Sequence, residues 1–382
     1  MTKPSHEHLR RLADMLRQVS PDGDFVAMDC SPTRDVEESF ARSTRSLSKE
    51  VDGAKAGLRA LIGGRPDKLS PDQALGLEAI VLPRYRPVVD VIENDFHPPP
   101  KPWTHLGTRV VRDNLRRAIP SIGRVEVPAH PTVPYAGTGF VVGDGILMTN
   151  RHVAELFAVG LGRKRLDFQS GQSASLDFRR EILPSEPVLL DVEEILMIHP
   201  HFDMALLKVA GLGSQHAPLI LDVSAPSDLI ENDVVVIGYP AQDLRNNPEL
   251  QNQVFRGVFN VKRVQPGKLK SVESLQDFYG NRVDTVTHDC STLGGNSGSA
   301  VIDVATGNVV ALHFAGEYLR ANYALPIREL ARDPRVAETG LRFNDKVTPS
   351  EAWDKKWKIA DEEMIQDSSS AHMVNDVAMV GR

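Results

Sequence analysis

Three short segments of the sequence place a chemically capable side chain beside glycines or apolar strand residues. Thr149-Asn-Arg-His152-Val follows a glycine-containing hairpin, Asp203-Met-Ala-Leu-Leu begins an apolar run, and Gly294-Gly-Asn-Ser297-Gly forms a glycine-rich turn. A serine hydroxyl is a poor nucleophile near neutral pH and needs a base to take its proton. A histidine can be that base, and an acid can fix its tautomer and stabilise the imidazolium. The sequence thus supplies a candidate nucleophile, base and orienting acid in Ser297, His152 and Asp203.

The glycines around Ser297 add a second element of this chemistry. Gly294, Gly295 and Gly298 tolerate backbone angles that other residues rarely adopt, so consecutive N–H groups can point in one direction. Paired amides of this kind stabilise the negative oxygen that forms when a carbonyl is attacked. We therefore expect the amides of Gly295 and Ser297 to form an oxyanion hole.

The three segments resemble the signature blocks of one enzyme family. TNRHV, DMALL and GGNSGSAV occur in the order His, Asp, Ser, as in the chymotrypsin-fold serine endopeptidases. STLGGNSGSAV is similar to the glutamyl-endopeptidase and high-temperature-requirement branches, which have Asn where digestive enzymes have Asp before the serine. The resemblance covers about residues 121–345. It implies two six-stranded antiparallel β-barrels and an endopeptidase that cleaves protein or peptide substrates through an acyl-enzyme, without a cofactor.

The same resemblance suggests a specificity. In the glutamyl-endopeptidase branch, a threonine five residues before the nucleophile and a histidine on the strand after it help read an acidic side chain. Thr292 and His313 occupy the matching places, with Ser291 near the base of the pocket, and Thr292 would add a hydroxyl donor. This implies cleavage after Glu or Asp. The alternative is a pocket for small or apolar side chains, in which His313 only fills space beside Phe314.

Two other readings compete with the triad. His199-Pro-His201-Phe-Asp203 matches the His-x-His-x-Asp ligand spacing of the metallo-β-lactamase fold, but Met204 stands where that fold has a histidine. We therefore expect Asp203 to be the triad acid and expect no metal. The second alternative is a peptide-binding or scaffold module on the same fold with little turnover.

The surrounding sequence predicts an all-β region between flanking helices. Short β-rich runs between residues 121 and 345 alternate with Gly, Asn, Asp and Pro: IGRVEV, TGFVV, ILMTN, DVVVIGY, NVVALHF and ANYAL. Residues 1–94 predict a mainly α-helical module, although 79–83 and 87–93 have an extended pattern. DFHPPPKPW opens a proline-rich linker over 95–120 that ends in a helix from Leu106 to Ala118. Residues 346–382 predict a C-terminal helix carrying Trp353 and Trp357, followed by a disordered tail.

Composition restricts the partners. The net charge is −7 and no long basic run occurs, so we expect no nucleic acid. We expect no membrane association, because no apolar stretch approaches the roughly 18 residues of a membrane-spanning helix. The N-terminal residues are charged throughout, and Cys30 and Cys290 fall in different predicted domains, which favours the cytoplasm over secretion. Cys290 is expected to form a wall of the specificity pocket. The predicted helical module of residues 1–94 is expected to dock a partner or to restrain the protease.

Overall fold

A computed structural model describes residues 85–133, 135–183, 186–243, 248–317 and 321–362. Most of the predicted helical module, Cys30 and the predicted tail lie outside these residues. Strands are the main regular element of the described chain, and twelve of them form the two closed six-stranded antiparallel barrels that the resemblance implies. Its helices are all too short or too polar to cross a lipid bilayer.

The first described segment runs from residue 85 to residue 121 and precedes both barrels. It contains strands β1 (Val89–Ile92) and β2 (Asp95–Phe96), a 3-10 turn (Thr104–Gly107), helix α1 (Arg109–Ala118) and a second 3-10 turn (Ile119–Ser121). The predicted helix over 106–118 is confirmed, except that its first turn is a 3-10 turn.

The first barrel is formed by residues 122–209. In chain order the elements are β3 (Ile122–Glu126), β4 (Tyr135–Gly143), β5 (Ile146–Thr149), α2 (Arg151–Ala154), β6 (Ala158–Val159), β7 (Asp167–Phe168), β8 (Ser175–Asp177), β9 (Leu189–Ile198) and β10 (Ala205–Val209). The barrel has the strand order β10-β5-β4-β3-β8-β9, and β6 pairs with β7 separately.

The second barrel follows, and short helices end the described chain. The elements are a 3-10 turn (Pro226–Leu229), β11 (Asp233–Gly238), α3 (Pro248–Phe255), β12 (Arg263–Gln276), β13 (Arg282–His288), β14 (Ala300–Asp303), β15 (Val309–Glu317), β16 (Ala321–Pro326), α4 (Ile327–Ala331), α5 (Pro334–Ala337) and α6 (Asp354–Glu362). Strands β11-β14-β15-β16-β13-β12 form the barrel, and pairing of β11 with β12 closes it. The predicted C-terminal helix is confirmed as α6.

Strand alternation divides the apolar side chains between two kinds of core. Along β10, Ala205 and Leu207 belong to the interior of the first barrel, whereas Leu206 packs into the large core between the barrels. Successive strand side chains point to opposite faces, so a strand buried on both faces must be apolar on both. This explains why β11, with Val235 between the barrels and Val234 inside the second barrel, shows a continuous apolar run.

The predicted division between residues 94 and 95 does not correspond to a break in the structure. Strand β1 pairs with β12 of the second barrel, Val89 lying opposite Val264. On the other side of the predicted division, Phe96 and Trp103 are both buried in the core between the barrels. The four prolines prevent a regular strand, but they do not prevent the aromatic residues around them from packing. Residues 85–107 are therefore a packed part of the peptidase unit, where the sequence predicted the end of a helical module and a free linker.

Candidate active site

His152 and Asp203 are held together by contacts from two elements of the first barrel. His152 lies on α2, directly after β5, and Asp203 lies in the turn between β9 and β10. One carboxylate oxygen of Asp203 accepts the backbone N–H of His152 at 3.0 Å, and the other lies 2.7 Å from Nδ1 of the imidazole. The Asn150 amide donates to the backbone carbonyl of Asp203 at 2.9 Å. The carboxylate is therefore fixed against Nδ1, which leaves Nε2 free to act as a base.

The electrostatics of His152 suit this arrangement. Burial opposes its charged form, but the charge of Asp203 and its hydrogen bond outweigh burial, so the pKa of His152 is raised above its usual value. Glu155 adds to the same effect. Asp203 therefore stabilises the imidazolium, which is the form that a general base takes when it accepts a proton, and the raised pKa reflects this stabilisation.

The turn that carries Ser297 docks against β4, the neighbour of β5 in the first barrel. The backbone carbonyl of Ser297 accepts the Thr138 amide of β4 at 2.8 Å, and the Thr138 hydroxyl donates to the carbonyl of Gly295 at 2.8 Å. A Cβ on Gly137 would lie 2.8 Å from the Ser297 carbonyl and 2.9 Å from the side chain of Val153, the residue after His152. The structure therefore brings the Ser297 turn and the start of α2 to the same position on β4.

Two glycines allow this close approach. Gly295 and Gly298 have φ angles of 82° and 85°, in the left-handed region that side chains disfavour. A Cβ on Gly298 would overlap the carbonyl oxygen of Thr138. In the described part of the chain, the N–H groups of Gly295 and Ser297 have no carbonyl partner. They are available as the oxyanion donors that the sequence predicts.

A buried amide pair that the sequence analysis missed supports the same turn. Asn296 lies between the two predicted oxyanion donors, and its side-chain oxygen accepts a hydrogen bond from Gln265 on β12 at 2.9 Å. The Asn296 amide also donates to the Leu293 carbonyl at 3.2 Å. No local motif marks Gln265, because only the register of the second barrel brings it here.

The predicted pocket residues lie close together, but two of their hydroxyl groups are already committed. Thr292 donates to the side-chain oxygen of Asn322 on β16 at 2.6 Å, and Ser291 donates to the carbonyl oxygen of Arg86 at 2.8 Å. A substrate carboxylate would therefore have to displace Asn322 to receive the hydroxyl proton of Thr292. Asn322, which the sequence analysis missed, also donates to the carbonyl of Cys290 at 2.7 Å.

His313 lies on β15 and is paired with a second histidine. Its Nδ1 is 3.1 Å from Nε2 of His288 on β13, and His313 is only 3% exposed. Burial, His288 and His152 together lower the pKa of His313 well below its usual value. Burial likewise lowers the pKa of His288 to about 4. Both rings are therefore neutral near pH 7, and one must donate to the other.

His199 is not oriented as a ligand of the alternative metal site, which would consist of His199, His201 and Asp203. Its Nδ1 accepts the backbone N–H groups of His201 and Phe202, each at 3.0 Å, and its Nε2 lies 3.2 Å from Asp333. Asp203 faces His152 instead. Within the ranges that the structure covers, no three potential ligand side chains are grouped to hold a metal ion.

The side chain of Cys290 belongs to the interior of the second barrel, where it packs with Val236 and Leu269. Burial raises the pKa of its thiol, so the thiol stays protonated. Its backbone carbonyl accepts a hydrogen bond from Asn322, and the expected role of Cys290 as a pocket wall stays a prediction.

Comparison with known proteins assigns the barrels to a family. Residues 137–312 match the family described as the trypsin-like peptidase domain. No curated protein matches the chain significantly. The structure is similar to the active form of the Rv3671c protease from M. tuberculosis, at 22% identity, 62% of this chain, 88% of that chain and a TM-score of 0.41. It is also similar to Deg5, at 20% identity, 60% of this chain, 94% of that chain and a TM-score of 0.42.

A third similar structure is the HtrA-type protease AlgW with a decapeptide, at 17% identity, 60% of this chain, 68% of that chain and a TM-score of 0.40. The family match and the two closed barrels define the class of the protein. Residues 137–312 are a trypsin-like serine peptidase domain, as the sequence motifs predict, and the two closed barrels give it the chymotrypsin-like architecture.

Proposed function

We propose that this peptidase is a serine endopeptidase that works through an acyl-enzyme, with Ser297 as nucleophile, His152 as base and Asp203 as orienting acid. The observation that carries the proposal is the double contact of Asp203 with the backbone and ring of His152. A carboxylate on Nδ1 fixes the tautomer whose Nε2 can accept the serine proton.

Each step uses a group already described. Ser297 Oγ bonds to the carbonyl carbon of the scissile bond while its proton passes to His152 Nε2. The carbonyl oxygen becomes negative and accepts hydrogen bonds from the N–H groups of Gly295 and Ser297. His152 then protonates the departing amine as the C–N bond breaks, which leaves an ester on Ser297. Water then bonds to the ester carbonyl carbon while its proton passes to His152 Nε2. As the C–O bond to Ser297 breaks, His152 returns this proton to Oγ, which releases the acid product and restores the free enzyme.

We propose that His313 gives the primary pocket its preference for an acidic side chain. If His288 Nε2–H donates to His313 Nδ1, then His313 carries its own proton on Nε2 and can donate it to a carboxylate. The reverse tautomers would leave an N–H of His288 buried, because His288 Nδ1 has no partner among the described residues. Within the described chain, His288 Nδ1 is unpaired in either arrangement, and only the first places a donor on Nε2 of His313.

The test uses the full chain and its Ser297→Ala variant. A peptide library reports turnover and the residue before the scissile bond, and a fluorophosphonate probe reports whether Ser297 is activated. We expect labelling and hydrolysis in the wild type and neither in the variant. Peptide binding without labelling or turnover would instead support the scaffold alternative.

A further inference from the structure

Arg86 precedes both barrels in the chain, yet its side chain is buried against the turn that forms the predicted pocket wall. Only 1% of this residue is exposed. Its Nε donates to one oxygen of Asp289 at 2.7 Å, and Nη2 donates to the other oxygen. The carbonyl of Arg86 accepts the Ser291 hydroxyl at 2.8 Å. The side chain and the backbone carbonyl of Arg86 therefore both bond to residues 289–291.

The surroundings satisfy this buried pair. Nη1 of Arg86 donates to the Tyr85 carbonyl at 2.9 Å, and the Trp103 indole donates to the same carbonyl at 2.7 Å. The guanidinium lies 3.6 Å from the centre of the Tyr85 ring. Asp289 also accepts the Lys268 amide at 2.8 Å. Burial opposes the charge of Asp289, but Arg86 outweighs it, so the pKa of this carboxyl lies below its usual value.

A buried ion pair of this kind is a poor source of stability, because removing two charges from water costs about as much as their attraction returns. Its effect on geometry is more specific. A planar guanidinium with two parallel hydrogen bonds fixes both the position and the orientation of the carboxylate. Asp289 is two residues from Ser291 and three from Thr292.

The pocket wall, defined as residues 289–292, is thus held from two sides. Arg86 holds Asp289 and Ser291, while Asn322 on β16 bonds the carbonyl of Cys290 and the hydroxyl of Thr292. Asn322 is part of the second barrel, whereas Arg86 comes from the segment that the sequence predicted to lie outside the peptidase domain. One of the two supports is therefore separate from the barrel.

We propose that Arg86 is a positioning residue that shapes the primary specificity pocket, so that residues 85–103 act as an intramolecular support for substrate binding. The inference rests on the proposed function, because it assigns the pocket wall to that reaction. Arg86 does not touch the reacting atoms. Its loss should impair the binding of a substrate side chain more than the activation of Ser297.

A matched control is available in the same segment. Arg112 on α1 also makes two hydrogen bonds to one carboxylate, Asp95, at 3.0 and 2.9 Å. This pair is more exposed and has no described contact with residues 289–292. Arg112→Met therefore removes an arginine fork without removing a support of the pocket wall.

The experiment compares the full-length wild type, Arg86→Lys, the double variant Arg86→Met with Asp289→Asn, and Arg112→Met. Lysine keeps the charge but loses the fork, and the double variant leaves no unpaired buried charge. We measure kcat and KM for the best library peptide, the rate of labelling by a small fluorophosphonate, and the melting temperature.

We expect kcat/KM to fall about a hundredfold in both Arg86 variants, mainly through KM, as for a misplaced binding group. The labelling rate should stay within about threefold of the wild type, because Ser297 remains activated. Lysine should be the milder of the two, and Arg112→Met should keep wild-type kinetics even if its melting temperature falls.

Two results would overturn the inference while the proposed function stands. One is an unchanged KM in both Arg86 variants. The other is labelling that falls in step with peptide turnover, which would show general loss of the folded site. A wild type that is neither labelled nor active would instead defeat the proposed function, and the inference with it.

Discussion

Each barrel contributes one histidine to the proposed site, and the two rings have opposite electrostatic surroundings. On the first barrel, His152 faces the Asp203 carboxylate and its pKa is raised. On the second barrel, His313 faces the imidazole of His288 and its pKa is lowered well below the usual value. The same side chain is thus favoured as a cation in one half and kept neutral in the other.

The neighbouring group, more than burial, separates the pKa values of the two histidines. Burial disfavours the charged form of both rings. Only His152 has an anion at hydrogen-bond distance to reverse that effect. As the proposed base, His152 must accept a proton and become charged. As the proposed pocket residue, His313 can donate a hydrogen bond to a substrate carboxylate while its own ring stays neutral.

The largest effect should follow from removing the nucleophile or the base. We expect Ser297→Ala and His152→Ala each to lower peptide hydrolysis by about 10⁶-fold, because the groups of a triad act as a unit. For the same reason, the double variant should be scarcely slower than either single variant. Steady-state rates with a melting-temperature control test this, and additive losses would show that the two residues do not act together.

A smaller loss should follow from changing the partner of His152. Asp203→Asn keeps the shape of the side chain but removes the charge and favours the wrong tautomer, so turnover should fall by about 10⁴-fold. The pKa of His152 should fall as well, which an NMR titration of the ring can measure. Wild-type turnover in this variant would remove Asp203 from the mechanism.

The sequence predicted the parts of the site that are local in the chain. His152, Asp203 and Ser297 stand in short segments whose glycines and apolar residues mark their structural context, and the two-barrel fold followed from the resemblance. Gln265 and Asn322 carry no such signal, because only strand register brings these amides to the site.

The first described segment was misjudged for a related reason. Its prolines predicted a linker between domains, but proline density reports backbone stiffness and not burial. The aromatic residues Phe96 and Trp103, packed between the barrels, were the feature that argued against such a linker.

On the second barrel, His313→Ala should lower cleavage after acidic residues selectively. A hydrogen bond to a charged group contributes about 1.5–3 kcal/mol, so the expected loss in kcat/KM is roughly ten- to a hundredfold. Cleavage after apolar residues and fluorophosphonate labelling of Ser297 should change little. Profiling with a peptide library decides between an acidic-specific pocket and a pocket for small or apolar side chains. A cleavage preference that is the same in His313→Ala and the wild type would favour the latter.

The smallest effect concerns stability in acid. The pKa of His288 is lowered to about 4, so as pH falls below about 6.5 the unfolded chain binds this proton before the folded chain does. Its contribution to the free energy of unfolding therefore declines by about 1–2 kcal/mol between pH 7 and pH 5. His288→Gln should reduce that decline. Urea unfolding at both pH values measures it, and an equal decline in both proteins would contradict the buried neutral histidine.

The most direct test of the triad is the rate at which a fluorophosphonate labels Ser297 as a function of pH. His152 must be neutral to accept the serine proton, and Asp203 raises its pKa. We expect the rate to rise with pH through a midpoint above about 6.5, the ordinary value for histidine, and to be nearly abolished by His152→Ala. A labelling rate that does not depend on pH, or that survives in His152→Ala, would contradict the triad.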